Sequence, residues 1–255
     1  MAVIKMAMGI DISKYQGKVD FNKLKNYCNF VIIRAGHTGY GDGVQHGDPY
    51  FLVNMAGAKA AGMPWGAYWF SQAINEDEAR AEARYMMGLI KDQKPEYPIY
   101  IDTELSGAPG LSGRADRIGK DKRTAVVKAF CDELEANGYF AGFYCSESWW
   151  HNNIDGKALS KYTAWIAKWS SKEPNCTYAM WQYSNSGSVP CINGRVDLNK
   201  TSVDFSTIIK AKGLNGWPTE DKLGDYIKIH ATGSDMKAII NLCNTYKLTY
   251  VRTED

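Results

Sequence analysis

Two carboxylates, Asp102 and Glu104, have the spacing in this 255-residue chain that most directly suggests chemistry. They close the apolar run PIYIDTE, which predicts a buried strand over 98–104. Residues two apart on a strand project from the same face, so the two carboxyl groups should lie side by side. Such neighbours oppose each other's ionisation, which raises the pKa of one carboxyl and keeps it protonated near neutral pH. Glycosidic cleavage needs this pair, because one acid protonates the leaving oxygen and one anion stabilises or attacks the positive sugar centre.

Two further carboxylates, Asp11 and Asp197, occupy similar places in the sequence. Asp11 ends strand GID, within the strand predicted at 8–13, and Asp197 ends strand VDL. A carboxylate inside an apolar run is costly unless it is paired or used. For a single Asp, capping a loop or pairing with a base such as Arg34 is the favoured interpretation. Four at strand ends, beside aromatic residues, instead indicate a carboxylate-based hydrolase that acts on a polar polymer.

Aromatic side chains near these acids predict a groove for sugar rings. The chain is 13% aromatic, with 8 Trp and 16 Tyr. The C–H faces of sugars stack on aromatic rings, while their hydroxyls bond to acids and amides. Because side chains alternate along a strand, only some of the candidates can face a ligand. The predicted substrate-binding residues are Tyr68, Trp69, Tyr144, Trp165, Trp181 and Gln182.

Apolar runs alternate with amphipathic stretches up to about residue 210, a pattern typical of an α/β fold built as a parallel β/α barrel. Strands are predicted at 8–13, 30–35, 65–70, 98–104, 139–146, 163–169, 178–184 and 194–200. Helices are predicted at 20–27, 48–61, 75–91 and 120–137. The later strands lack long intervening helices, so we expect an irregular barrel of about eight strands. The C-terminal strand ends of such a barrel form the rim that holds the active site.

The domain organisation is predicted as a catalytic barrel over 1–212, a linker over 213–219 and a small module over 220–255. The segment GLNGWPTED carries two Gly and a Pro and indicates the linker. Beyond it the pattern predicts strand, helix and strand, a small C-terminal α+β appendage whose helix covers 234–246. A piece this short does not easily form a stable core alone. It should either dock on the barrel or make the chain a homo-oligomer.

Composition narrows the set of partners. The formal net charge of +2 gives no support for a nucleic-acid partner, and no run approaches the ~18 apolar residues of a membrane span. No C-x-x-C or H-x-x-x-H spacing is present, so we expect no metal site and no cofactor. Cys176 and Cys191 could meet across a turn, and the sequence leaves open whether they are bonded. The N-terminus MAVIKMAMGIDIS lacks the apolar region of a signal peptide, which predicts synthesis without one.

An ordered set of motifs resembles the family 25 glycoside hydrolases. The motifs are GIDISKYQG at 9–17, FVIIRAG at 30–36, GAYWF at 66–70, YIDTE at 100–104, WIAKW at 165–169, MWQYS at 180–184 and VDLN at 196–199. The resemblance extends over roughly residues 7–212. It implies a lysozyme, an N-acetylmuramidase that cuts the β-1,4 bond between N-acetylmuramic acid and N-acetylglucosamine in bacterial peptidoglycan.

The resemblance also implies roles for single residues. Glu104 matches the family's proposed catalytic acid, and Asp102 matches the carboxylate that stabilises the reacting centre or orients the substrate's acetamido group. Asp11 and Asp197 match the other two acids of the site. The positions that shape the sugar groove match Tyr68, Trp165 and Trp181, while Trp69 stands where many relatives have His. A retaining, an inverting and a substrate-assisted course all stay open.

The lack of a signal peptide together with a C-terminal appendage resembles a bacteriophage endolysin. That resemblance implies synthesis in the host cytoplasm, release through a holin-breached membrane and action on the cell wall. Two alternatives to a muramidase stay open. A chitinase-like glycosidase would require an acid where Tyr100 stands. A non-catalytic sugar-binding protein would not need the intact Asp102 and Glu104 pair.

Overall fold

The computed structural model describes residues 6–107, 113–219, 236 and 238–240. The chain divides into two compact units, 1–219 and 220–255. In the second unit the described residues are helical, and they lie within the helix predicted at 234–246. The two strands predicted on either side of that helix lie outside the described residues.

The first unit contains an eight-stranded barrel with one additional strand. The strands are β1 (Ala7–Ile12), β2 (Phe30–Thr38), β3 (Gln45–Gly47), β4 (Trp65–Phe70), β5 (Ile99–Asp102), β6 (Ala141–Ser146), β7 (Thr163–Ala167), β8 (Met180–Gly187) and β9 (Val196–Thr201). Their order is β1-β9-β8-β7-β6-β5-β4-β2, and pairing of β1 with β2 closes the barrel. The short β3 pairs only with β2, as an antiparallel neighbour. The predicted irregular β/α barrel is confirmed.

The last strand runs in the opposite direction from the other seven. Neighbours from β1 round to β8 are parallel, whereas β9 is antiparallel to both β8 and β1. The chain from β8 to β9 is the helix-free segment 188–195, and a parallel return would need a crossover of about a dozen residues or more. The expectation of a parallel final strand is therefore wrong. Asp197, the second residue of β9, lies at the start of its strand rather than at its end.

Helices occupy most of the connections between the early strands. They are α1 (Phe21–Leu24), α2 (Phe51–Ala60), α3 (Glu76–Ile90), α4 (Lys120–Ala136), α5 (Glu147–Asn152) and α6 (Phe205–Ala211). Asn75 caps α3, since its side chain accepts a hydrogen bond from the Glu78 N–H at 2.9 Å. The sequence analysis predicted neither α5 nor α6, and α5 begins where Ser146 accepts a hydrogen bond from the Trp149 N–H. No helix within the described residues is both long and apolar enough to cross a membrane.

Alternation along the strands separates two apolar layers. Outward-facing residues such as Ile33, Ile101 and Phe143 pack under the helices. The inward-facing cluster consists of Phe30, Ile32, Tyr68, Tyr100, Tyr144, Trp165, Ala167 and Met180, joined by Tyr97 and by Phe205 and Ile209 of α6. Because α6 packs where β5 begins, this cluster fills the barrel from that end. The end at which β5 terminates is left for polar groups.

The segment 213–219, predicted as a linker, is attached to the barrel through Asn215. This side chain is buried, and its Nδ2 donates to the carbonyl oxygens of Pro95 and Tyr97 at 3.0 and 3.1 Å. Its Oδ1 accepts a hydrogen bond from the Phe140 N–H at 2.8 Å. These three side-chain hydrogen bonds hold this part of the segment, which belongs to the first unit, against two connections of the barrel.

Candidate active site

An open pocket at one end of the barrel brings the four predicted acids together. Its lining consists of Asp11, Tyr68, Asp102, Glu104, Tyr144, Trp165, Gln182 and Asp197. β1 and β5 end at this mouth, and antiparallel β9 begins there. Asp11 and Asp197 are direct cross-strand partners. Asp197 therefore lies at the same mouth as Asp11, although it is near the N-terminal end of the antiparallel strand β9.

Two buried amides hold Asp11. Its Oδ2 accepts hydrogen bonds from Gln182 Nε2 at 2.9 Å and from Asn199 Nδ2 at 2.7 Å. Asn199 is fully buried and lies two residues after Asp197 on β9, so both side chains face the barrel interior. The two amides fix the position of one carboxylate oxygen.

The orientation of these amides is set by indole groups. Trp165 Nε1 donates to Asn199 Oδ1 at 2.8 Å, and Trp169 Nε1 donates to Gln182 Oε1 at 3.0 Å. An indole N–H can only donate, so each amide must turn its oxygen to the indole and its nitrogen to Asp11. The Tyr144 hydroxyl is also 3.0 Å from Gln182 Oε1.

Burial raises the pKa of all four acids. For Asp11, burial and then the charge of Asp197 raise the pKa well above its usual range, although the two amides oppose this. For Asp102, burial and then the charge of Glu104 have the same effect on the pKa. Burial, with a smaller contribution from Asp197, raises the pKa of Glu104 to about 7. The pKa of Asp197 is raised by burial and lowered by its hydrogen bond with Asp11. Burial and mutual repulsion therefore oppose the simultaneous ionisation of the four groups.

Asp102 and Glu104 are the pair available for reaction. Asp102 is buried, and no described residue hydrogen-bonds to its Oδ1. Glu104 is half-buried and follows the end of β5 by two positions. A carboxyl that can carry a proton near neutral pH thus lies beside one whose oxygen has no described partner. This arrangement can protonate a leaving oxygen and stabilise a positive centre.

Three of the predicted aromatic residues lie in the pocket. Trp165 packs against Tyr68 and Tyr144, with ring centroids 5.9 and 4.7 Å apart. Each of these side chains lies largely below the protein surface. They form the aromatic floor of the pocket, and the surface that the pocket opens to solvent is almost entirely polar.

Two predicted substrate-binding residues, Trp69 and Trp181, lie outside the barrel, and this corrects the prediction. Alternation on β4 turns Tyr68 inward and Trp69 outward, where it is fully buried and donates to Thr38 Oγ1 at 3.0 Å. Trp181 likewise faces outward between inward-facing Met180 and Gln182, and its Nε1 donates to the Lys168 carbonyl at 2.8 Å. Neither indole can contact a ligand in the pocket.

Two residues that the sequence analysis did not single out belong to the site. Asn199 is the last residue of the motif VDLN, and its spacing from Asp197 could have identified it. Trp169 ends the motif WIAKW beyond β7, and it is 59% exposed at the rim beside Gln182. Arg34, considered as a partner for the acids, instead pairs with Asp48, with 2.7 Å between Nη2 and Oδ2.

Metal and disulfide chemistry have no counterpart in the described part of the chain. Within it, no group of three or more His, Cys, Asp and Glu side chains has the arrangement of a metal site. Cys176 and Cys191 both carry free thiols.

Comparison with known proteins gives consistent matches over most of the chain. The family described as Glycosyl hydrolases family 25 matches residues 10–192. The autolytic lysozyme of Clostridium acetobutylicum is 29% identical over 197 residues, which are 76% of this chain and 55% of that protein. Lysozyme M1 of Streptomyces globisporus is 30% identical over 209 residues, which are 75% of this chain and 66% of that protein.

A solved structure agrees with these matches. The modular autolysin LytC from Streptococcus pneumoniae, in complex with a synthetic peptidoglycan ligand, superimposes with a TM-score of 0.68 at 26% identity. The match covers 78% of this chain and 47% of that one. This chain thus spans about half the length of the autolytic lysozyme and of LytC.

Proposed function

Because the chain belongs to family 25 of the glycosyl hydrolases, we propose that it hydrolyses bacterial peptidoglycan. The bond cut is the β-1,4 bond between N-acetylmuramic acid and N-acetylglucosamine. The observation that carries the proposal is the convergence of Asp102 and Glu104 with two further acids at the mouth of the barrel. The names of the relatives, which include lysozymes and an autolysin bound to a peptidoglycan ligand, support this substrate.

Glu104 serves as the proton donor in this proposal. Its raised pKa keeps a large fraction protonated near pH 7, so it can protonate the glycosidic oxygen as the bond breaks. Asp102 lies beside it, and burial raises its pKa, which disfavours the ionised form in the free protein. A positive charge that develops on the sugar ring offsets the free-energy cost of ionising Asp102. Ionised Asp102 therefore stabilises the transition state more than the ground state. Asp102 could act directly on the reacting centre or orient the acetamido group.

The cellular setting stays a prediction. The bacteriophage endolysin hypothesis places synthesis in the host cytoplasm and release through a holin. Residues 220–255 would then serve cell-wall binding or oligomerisation.

Analysis of reaction products tests the bond that is cut. Purified peptidoglycan is digested, reduced with borohydride and examined by mass spectrometry. A muramidase is expected to leave reduced N-acetylmuramic acid at the new ends, because the sugar that contributes the anomeric carbon becomes the reducing end. Reduced N-acetylglucosamine at those ends, or cleavage of chitin oligosaccharides without cleavage of peptidoglycan, would contradict the proposal.

The pH dependence of kcat/KM tests the proton donor. A carboxyl with a pKa of about 7 is about half protonated at pH 7, whereas one at the ordinary value of 4.5 would be only about 0.3% protonated. The rate is therefore expected to fall as pH rises through about 7, reaching about tenfold per pH unit above it. Circular dichroism over the same range verifies that the fold persists. A rate that stays constant to pH 9 would exclude Glu104 as the donor.

A further inference from the structure

Glu104 is the one acid among the four pocket carboxyls that no strand carries. Asp11, Asp102 and Asp197 all lie within strands. The Thr103 N–H still donates to the Tyr144 carbonyl at 3.1 Å, which extends the β5–β6 pairing by one residue. Glu104 follows that last bond. Its orientation must therefore depend on contacts made by the residues on either side of it.

A buried arginine makes such contacts from α4. Arg123 is 1% exposed, and its Nη1 donates to Thr103 Oγ1 at 3.3 Å. Its Nη2 donates to the Ala115 carbonyl at 2.7 Å and lies 3.4 Å from the carbonyl oxygens of Asp116 and Ile118. One guanidinium thus holds the residue just before Glu104 together with the far end of the loop that follows it.

The same loop is closed at its base by Asp116. Its carboxylate accepts hydrogen bonds from the Ser106 N–H at 3.0 Å, the Ser106 hydroxyl at 2.8 Å and the Gly113 N–H at 2.7 Å. The two sides of the loop are therefore joined to each other as well as to Arg123. Thr103 and Ser106, on either side of Glu104 and Leu105, thus belong to one hydrogen-bonded network.

Burial of the charged Arg123 side chain costs free energy that a residue with only a packing role need not cost. No described carboxylate forms a salt bridge with it, and its Nε has no described hydrogen-bond partner. Burial lowers its pKa, which the charge of Asp116 only partly opposes. The Trp149 ring, 4.3 Å from the guanidinium carbon, offers a cation–π contact. A long apolar side chain could fill this space without the cost of burying a charge.

From these contacts we infer that Arg123 is a positioning residue for the proton donor. It fixes Thr103, which lies between Asp102 and Glu104 with its side chain directed away from the pocket toward α4. A fixed Thr103 sets the direction in which Glu104 projects. The inference rests on the proposed function, because it assigns Glu104 the role of proton donor.

Two variants test this role, Arg123→Met and Thr103→Val. The first removes the guanidinium fork, and the second removes only the hydroxyl that Arg123 binds, with the side-chain shape retained. Reducing ends released from purified peptidoglycan are measured over a range of substrate concentrations and from pH 5 to pH 9. In both variants kcat is expected to fall about tenfold or more, with KM within about twofold, because a misplaced catalytic group slows the chemical step.

A second readout separates positioning from stability. A displaced Glu104 becomes more exposed, so the alkaline limb of kcat/KM should move to lower pH in the variants. Arg84→Met serves as the matched control, because exposed Arg84 pairs with Glu133 on the outer surface. This control is expected to keep the wild-type kcat and the wild-type alkaline limb.

If Arg123→Met does not fold, Thr103→Val still tests the positioning role, because it removes only the hydroxyl that Arg123 binds. A folded Thr103→Val protein with wild-type kcat and an unmoved alkaline limb would reduce Arg123 to a structural role. Active wild type with equally active variants contradicts this inference alone, whereas inactive wild type contradicts the proposed function and the inference with it.

Discussion

Replacement of Glu104 with Gln is expected to lower the release of reducing ends from peptidoglycan by about 10³-fold, within the usual range for removal of a general acid. Gln has nearly the same shape but no proton of suitable acidity to donate. Substrate binding depends on the aromatic floor and the remaining acids, so KM should change little. The variant should also lose the alkaline limb near pH 7, because that limb reports the ionisation of Glu104.

A matched control for this variant is Glu135→Gln. Glu135 is an exposed residue near the end of α4, where it pairs with Lys161 at 3.1 Å. Exposed pairs contribute about 0–1 kcal/mol, so this variant should keep its activity within about twofold. If Glu104→Gln remained folded and retained wild-type activity, Glu104 could not be the proton donor.

Much of the candidate site could be predicted from the sequence because strand alternation is a strict geometric rule. The two-residue spacing and the apolar run correctly brought Asp102 and Glu104 to the same pocket, although β5 ends at Asp102 and Glu104 lies in the loop that follows it. The same rule separates Tyr68 from Trp69, and a stricter application of it would have excluded Trp69 and included Asn199. The sequence was therefore sufficient to predict which strand residues face the barrel interior.

The direction of β9 was harder to predict. The helix-free stretch before Asp197 was visible in the sequence, but a strand pattern carries no sign of which way the strand runs. An acid at the end of a parallel strand and one at the start of an antiparallel strand can reach the same mouth. The location of Asp197 in the site was thus predicted correctly while its position along the strand was not.

Nothing in the sequence predicts that Arg123 is buried or that it contacts the loop beside Glu104. Its position in the first turn of a charged helix, beside Asp121 and Lys122, is typical of a solvated residue. Its burial depends on the loop between β5 and α4 folding back over it. Contacts between a helix and the backbone of a loop have no periodicity, so only coordinates could identify them.

Replacement of Asp102 with Asn is expected to have opposite effects on activity and stability. Activity should fall about 10²-fold or more, because an ionised group no longer stabilises the developing positive charge. The free protein should become more stable at pH 8 by about 1–3 kcal/mol, because a buried acceptor with no described partner no longer has to carry a charge. Asp77→Asn, on the exposed first turn of α3, is the control: it should keep its activity, and loss of its favourable interaction with the helix dipole should lower its stability by no more than about 1 kcal/mol.

The pH dependence of that gain identifies its cause. The pKa of Asp102 is raised in the folded protein, by burial first and by Glu104 second, above the usual value of 3.8. The unfolded chain therefore releases this proton at lower pH than the folded protein does, and the wild type loses stability as pH rises above about 4. Asn has no proton to lose, so the gain in unfolding free energy should be large at pH 8 and should vanish as pH falls toward 4. Urea unfolding at a series of pH values measures it. An equal gain in unfolding free energy at every pH would mean that the two side chains differ in shape and not in charge. Asp102 could then not be the charged partner that the proposed reaction requires.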